Sequence, residues 1–260
     1  MLNNIQFVIN YLIYFFTAGT KHSVHSPFVY DFVCKVLNVR KNKPMYHEFE
    51  LVRSRMLKSK SMIKILPLGA AAKEEETVLL SKVARRSAKS ARYAELLERI
   101  CDYFQPQIAV EIGTSLGLSA MYQASPLRDG FLYTLEGNPD SAKVAAFNFE
   151  KLEFKNIQLI EGNFDEQLPA LINYLPRVDY VFFDGNHSLD ATIKYFELCL
   201  QKAHTGSVFV FDDIRWSDDM HLAWSKIKNH PAVTVSIDLY AMGIVFFRKE
   251  QEKEHFILRF

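Results

Sequence analysis

The chain has 260 residues, 49% hydrophobic and 23% charged, which is ordinary globular composition and excludes a disordered or fibrous protein. Ten glycines and nine prolines exclude collagen-like and low-complexity readings, and a net charge of +1 offers no global attraction to a polyanion, so no nucleic-acid partner is expected. Three cysteines (Cys34, Cys101, Cys199) are odd in number and widely spaced, without a Cys-x-x-Cys pair. They read as buried thiols of a reducing compartment, and the expected location is cytoplasmic.

Residues 2–16 form an apolar run in which Asn3, Gln6, Asn10 and Thr17 make one polar stripe of a helix. The run is shorter than the roughly 20 residues that a bilayer span needs, and it lacks the basic start and cleavage site of a signal peptide. A helix so apolar is buried by its own domain or by a partner, with membrane-surface contact as a third option, and a homodimer through it is expected. Ser26-Pro27 then reads as an N-cap with a first-turn proline, opening a helix to about Asn38. His22 and His25 read as loop residues before it. Residues 41–92 hold 13 Lys/Arg against 5 Asp/Glu, a basic segment set in an otherwise acidic chain. It could guide an anion, dock on nucleic acid, or form a solvated helical face, the commonest role of a charge run.

From residue 91 the pattern changes. Tyr93, Leu96, Leu97, Ile100, Cys101 and Phe104 form one stripe of a helix that Pro106 ends. Apolar runs at 108–112, 131–135, 157–160, 178–183 and 208–211 then alternate with helix-length segments. Such runs are strands buried on both faces, and their order implies βαβ units with a mostly parallel sheet. Residues 233–240 and 244–248 read as two final strands joined as an antiparallel hairpin at Ala241-Met242-Gly243.

Ligands of such sheets bind beyond the carboxyl ends of the strands. The first strand ends Glu111-Ile-Gly113-Thr-Ser-Leu-Gly117-Leu-Ser119, where glycines admit a close ligand and the next helix offers free N–H groups. The glycine spacing differs from the Gly-x-Gly-x-x-Gly dinucleotide fingerprint. The second strand ends at Glu136-Gly137, an acid placed to accept a ribose diol. The third ends Glu161-Gly-Asn163-Phe164, the fourth Asp184-Gly-Asn-His187, and the fifth Asp212-Asp213.

These motifs resemble those of the class I S-adenosylmethionine-dependent methyltransferases, over roughly residues 88 to 250. Glu111-x-Gly113-x-x-x-Gly117 resembles the family's first motif and Glu136 its ribose-binding acid. Asp184-Gly-Asn-His187 with Asp212-Asp213 resembles the metal-assisted O-methyltransferases of catechol and macrolide-sugar type, and a bacterial group of them. The resemblance implies a doubly wound, mostly parallel seven-stranded Rossmann-like sheet over residues 88–260, with residues 1–87 as a helical extension or lid. It implies S-adenosylmethionine held by Glu111, Gly113, Gly117, Ser119, Glu136, Gly137, Asn163, Phe164 and Asp184, with Lys89 in a loop over it. It further implies Mg²⁺ or another divalent cation on Asp184, Asp212 and Asp213, since all-oxygen donors suit hard cations. His187 and Asp184 would be catalytic, His187 as the base that activates a small-molecule hydroxyl. Catechol-type members have Asp-Asn where this chain has Asp212-Asp213, and nothing here specifies a catechol clamp. Two alternatives stand beside this reading: a metal-independent N- or C-methyltransferase, and a non-catalytic cofactor-binding module.

Overall fold

The computed structural model describes residues 4–39, 43–65 and 76–260. The first residues of the expected N-terminal helix, and Lys41 and residues 66–75 of the basic segment, lie outside them. In chain order the elements begin with α1 (Asn4–Thr17), α2 (Pro27–Phe32), α3 (Pro44–Lys58), β1 (Met62–Ile65), β2 (Glu76–Leu79), α4 (Leu80–Ser87) and α5 (Ala91–Phe104). There follow β3 (Ile108–Ile112), α6 (Leu118–Ala124), β4 (Phe131–Glu136), α7 (Pro139–Lys151), β5 (Ile157–Glu161) and α8 (Phe164–Tyr174). The chain closes with β6 (Tyr180–Phe183), α9 (Leu189–Leu200), β7 (Val208–Phe211), α10 (Asp218–Asn229), β8 (Val235–Asp238), β9 (Gly243–Phe246) and β10 (Glu254–Ile257). The fold is α/β and its sheet is mostly parallel, as the alternation of apolar runs predicts.

Two compact units divide the chain: residues 40–171, and residues 1–39 with 172–260. The expected boundary at 87/88 falls within the first of these.

In the unit of residues 40–171, β4 pairs in parallel with both β3 and β5. Helix α5 buries Leu96, Leu97, Ile100 and Cys101 of the stripe read from its spacing, leaves Tyr93 and Phe104 half-buried, and ends where Gln105 turns left-handed at φ 46° before Pro106. Asn138 caps α7 by accepting from the Ser141 N–H at 2.8 Å, with Pro139 in the first turn. Helix α3 is anchored on α5 through the fully buried Glu98, which accepts from the Tyr46 hydroxyl at 2.6 Å and pairs with Lys43. Two strands in this unit had no sequence signal: β1 and β2 form a short antiparallel pair. At four residues each, with alternating exposure, they are too short to stand out from helical surroundings.

In the other unit β6, β7, β8 and β9 are buried along their whole length. The β6–β7 pair is parallel, and β9 runs antiparallel to both β7 and β8. The expected final hairpin is therefore present, although its positive φ falls on Tyr240 (71°) and not on a glycine. It is not the last element, because β10 adds to β8 in parallel. That strand reads Glu-His-Phe-Ile with half its residues exposed, the pattern of a polar edge. Ser26 caps α2 as expected, and the helix continues as a π-helical turn over Val33–Leu37. Helix α1 packs by Tyr14, whose hydroxyl donates to the Leu258 carbonyl at 2.5 Å. Arg215 binds Asp238 through two 2.6 Å hydrogen bonds and lies over the Tyr240 ring. No described helix is long and apolar enough to cross a membrane.

Gly243 shows how closely this unit is packed: a Cβ there would stand 2.5 Å from Cζ3 of the buried Trp224. Gly243→Ala is expected to destabilise the protein by about 1–3 kcal/mol, the cost of overpacking a core with no free volume. A denaturant melt read by circular dichroism checks it.

Candidate cofactor and acceptor residues

The turn after β3 is built from a buried polar network. Glu111 is fully buried and accepts from Gln123 Nε2 at 2.6 Å and from Thr134 Oγ1 at 2.5 Å. Because Thr134 spends its hydroxyl proton on Glu111, the 2.5 Å contact between Thr114 and Thr134 has Thr114 as donor. Glu111 thus stands behind the turn and ties β3, β4 and α6 together. The Gly113 and Thr114 N–H groups both donate to the Leu135 carbonyl. Gly113 and Gly117 have φ of 104° and 85°, a region that favours glycine. A Cβ on Gly117 would meet Phe149 Cε1 at 2.7 Å and Ala145 at 3.1 Å, so this glycine also lets α7 approach the start of α6. Ser119, in the first turn of α6, is buried.

Glu136, at the end of β4, is 6% exposed. Its carboxylate accepts from the backbone N–H of Ser115 at 2.6 Å and of Asn138 at 2.8 Å, with a further backbone bond from Gly137. Burial pushes its pKa above the usual glutamate value, and the three backbone donors oppose that rise without cancelling it. Ser115 was not read from sequence as a site residue. It is left-handed at φ 48°, gives its N–H to Glu136, and its hydroxyl lies 2.7 Å from that of Ser87. Lys89, two residues beyond Ser87, is half-buried in the connection between α4 and α5. After β5, the exposed Asn163 accepts the Asp165 N–H at the start of α8, and Phe164 is buried.

In the other unit, His187 Nε2 is 3.7 Å from Asp184 Oδ1 and 3.9 Å from Asp213 Oδ2, ion-pair distances rather than hydrogen bonds. Asp184 follows β6 and is part-buried; Asp212 and Asp213 follow β7, the first 1% exposed and the second 36% at its side chain. Asn186 and Asp213 are left-handed, at φ 50° and 52°. The structure therefore brings His187 beside Asp184 and Asp213. Among the described residues, no group of three or more His, Cys, Asp or Glu side chains is arranged to hold a metal ion.

Residues 110–214 match the family model of a methyltransferase domain. Over 144 residues the chain is 29% identical to "Uncharacterized protein R132" of Acanthamoeba polyphaga mimivirus; the match covers 51% of this chain and 65% of that protein, just under two thirds of its length. Among solved structures, the O-methyltransferase from Bacillus cereus in complex with SAH aligns at a TM-score of 0.58 and 19% identity, over 84% of this chain and 97% of that one. TomG of Streptomyces achromogenes, an O-methyltransferase in complex with SAM, aligns at 0.59 and 19%, over 85% and 95% of the two chains. SAH-bound PaMTH1 of Podospora anserina aligns at 0.60 and 16%, over 87% and 98%.

Truncating Glu111 to Ala would leave the Gln123 amide and the Thr134 hydroxyl without their buried acceptor. A loss of about 2–5 kcal/mol is expected, read as a fall in melting temperature. The chain thus matches a methyltransferase-domain model over residues 110–214, and it shares its fold with these solved methyltransferases.

Proposed function

We propose that the protein transfers a methyl group from S-adenosylmethionine to a hydroxyl of a small-molecule acceptor. One observation carries the cofactor assignment: Glu136 is a nearly buried carboxylate that accepts from backbone N–H groups beside a glycine turn. A carboxylate held this way keeps lone pairs for a ribose diol, and a raised pKa at a strand end is the mark of a group kept for a ligand. Gly113 and Gly117 admit the amino-acid end of the cofactor, with Ser119 and the α6 N–H groups near its carboxylate. Asn163 and Phe164 flank the adenine, Lys89 lies in the loop over it, and Glu111 acts by holding the turn.

The hydroxyl oxygen forms a bond to the methyl carbon as the bond from that carbon to the sulfonium breaks, leaving a neutral thioether. The hydroxyl proton passes to His187, and the carboxylates of Asp184 and Asp213, within 4 Å of Nε2, stabilise the positive ring. The carboxylates of Asp184, Asp212 and Asp213 are not gathered as a ready-made cation site, and no step is routed through a cation. The names of the solved O-methyltransferases support oxygen as the acceptor atom. A homodimer through α1 belongs to the same proposal, supported by the exposure of Leu12, Ile13 and Phe16 on a helix without a charged residue.

Calorimetry with S-adenosylmethionine tests the cofactor half. Glu136→Ala is expected to weaken binding by about 1.5–3 kcal/mol, the worth of hydrogen bonds to a charged group. Wild-type affinity should fall as pH drops through the raised Glu136 pKa, above the ordinary 4.5, because protonation removes an acceptor pair from the diol. A Glu136→Gln variant should bind weakly at every pH. Unchanged affinity in Glu136→Ala overturns the assignment.

Turnover on a panel of hydroxylated acceptors, followed by mass spectrometry, tests the acceptor half. His187→Ala should lower kcat about 10²–10⁴-fold and leave cofactor affinity unchanged. Turnover should survive EDTA; loss on chelation with recovery in Mg²⁺ would replace this mechanism by the metal-assisted one. Sedimentation at micromolar concentration should show a dimer that deletion of residues 1–17 dissociates.

A further inference from the structure

The basic segment is unevenly used. Lys43 is taken up by Glu98 and Asp102, and Arg53 pairs with Glu50. Arg55 and Lys58, in the last turn of α3, are exposed, and they face a cavity of about 560 Å³. Met56 and Leu80 are its buried apolar residues, and Phe147 of α7, 57% exposed, stands at its side. Lys143, on α7, adds a third cation to the lining. No carboxylate is among the described residues that line the cavity. Asp140, which pairs with Lys143 at 3.0 Å, already takes the Lys64 backbone N–H at 2.9 Å.

A large exposed aromatic ring beside a concave apolar surface is costly in water, and of the three rim cations Lys143 is paired with Asp140 while the lining itself supplies no acid to Arg55 and Lys58. The volume lies within the range of small-molecule sites, about 300–1,000 Å³. Cations at the end of α3 also complement its dipole, but that accounts neither for Lys143 on a second helix nor for Phe147. We propose that this cavity is a binding site for a soluble anionic amphiphile, its phosphate or carboxylate head held by Arg55, Lys58 and Lys143 and its hydrocarbon body lying on Met56, Leu80 and Phe147. None of the residues assigned to S-adenosylmethionine lines it, so the site is separate from the cofactor residues.

Calorimetry on the full chain with octyl phosphate, octanol and inorganic phosphate tests this. Octyl phosphate is expected to bind at least tenfold more tightly than either of the others, and less tightly as salt rises. The double variant R55E/K58E should lose at least tenfold in octyl phosphate affinity, and V144W, which fills the cavity from a lining position, should lose binding as well. Both variants should keep a folded circular dichroism spectrum and their affinity for S-adenosylmethionine, R55E/K58E melting slightly lower because acids oppose the dipole at the end of α3, which separates this result from failure of the cofactor assignment. Equal affinity for octyl phosphate and octanol, equal affinity for octyl phosphate and inorganic phosphate, or unchanged binding by R55E/K58E would overturn the proposal. Tighter co-sedimentation with phosphatidylglycerol vesicles than binding of octyl phosphate would also overturn it, by showing a membrane surface as the partner.

Discussion

The turn after β3 depends on one buried carboxylate. Moving Glu111 out of water costs several kcal/mol, and only its hydrogen bonds recover that cost. The Gln123 and Thr134 donors come from α6 and β4, so Glu111 is satisfied only when those two elements stand at one spacing from β3. Thr114 extends the chain of hydroxyl donors into the turn itself. The Gly113 and Thr114 N–H groups are fixed on the Leu135 carbonyl in the same turn, and the next N–H, that of Ser115, reaches Glu136.

Glu136 obeys a different logic. Its pKa is raised, so above the ordinary glutamate value the folded protein holds an ionised group that its surroundings penalise, and this carboxylate opposes folding at neutral pH. A side chain kept only for stability would gain from a cation or from replacement by an apolar residue. Here the donors recorded for Glu136 are backbone N–H groups that the turn has to place somewhere in any case. Glu111 and Glu136 are both acids at the ends of adjacent strands, yet one accepts from side chains and the other from backbone N–H groups.

Much of the architecture was legible in the sequence because strands buried on both faces are uninterrupted apolar runs: those at 108–112 and 208–211 coincide with β3 and β7. The cap of α2 was equally direct, since Ser26-Pro27 names its first turn. The elements that escaped lack either signal. Strand β10 is a polar edge, and β1 with β2 is a four-residue pair inside a basic stretch. Within the candidate site, acids and glycines at strand ends could be found by position, but what they do could not. Glu111 and Glu136 look alike in sequence, and only the partners set by tertiary packing separate them. Ser115 had no signal, because a backbone N–H aimed at Glu136 and a hydroxyl contact to Ser87, 28 residues earlier, are both set by tertiary packing.

Backbone strain adds an independent argument. Six described non-glycine residues have positive φ, and three of them, Ser115, Asn186 and Asp213, lie in the turns that follow β3, β6 and β7. Each such residue costs about 1–3 kcal/mol unless its surroundings hold it there, although Asn and Asp tolerate the conformation better than most. Asn186 precedes His187 directly, and Asp213 is one of the two carboxylates beside that ring. A loop selected only to connect a strand to a helix would relax this strain by placing glycine there, as Gly113 and Gly162 do elsewhere. At 213 the chain instead keeps a carboxylate, and a glycine would remove the charge that faces His187. The strain at 213 is thus borne by a residue whose carboxylate lies 3.9 Å from the His187 ring.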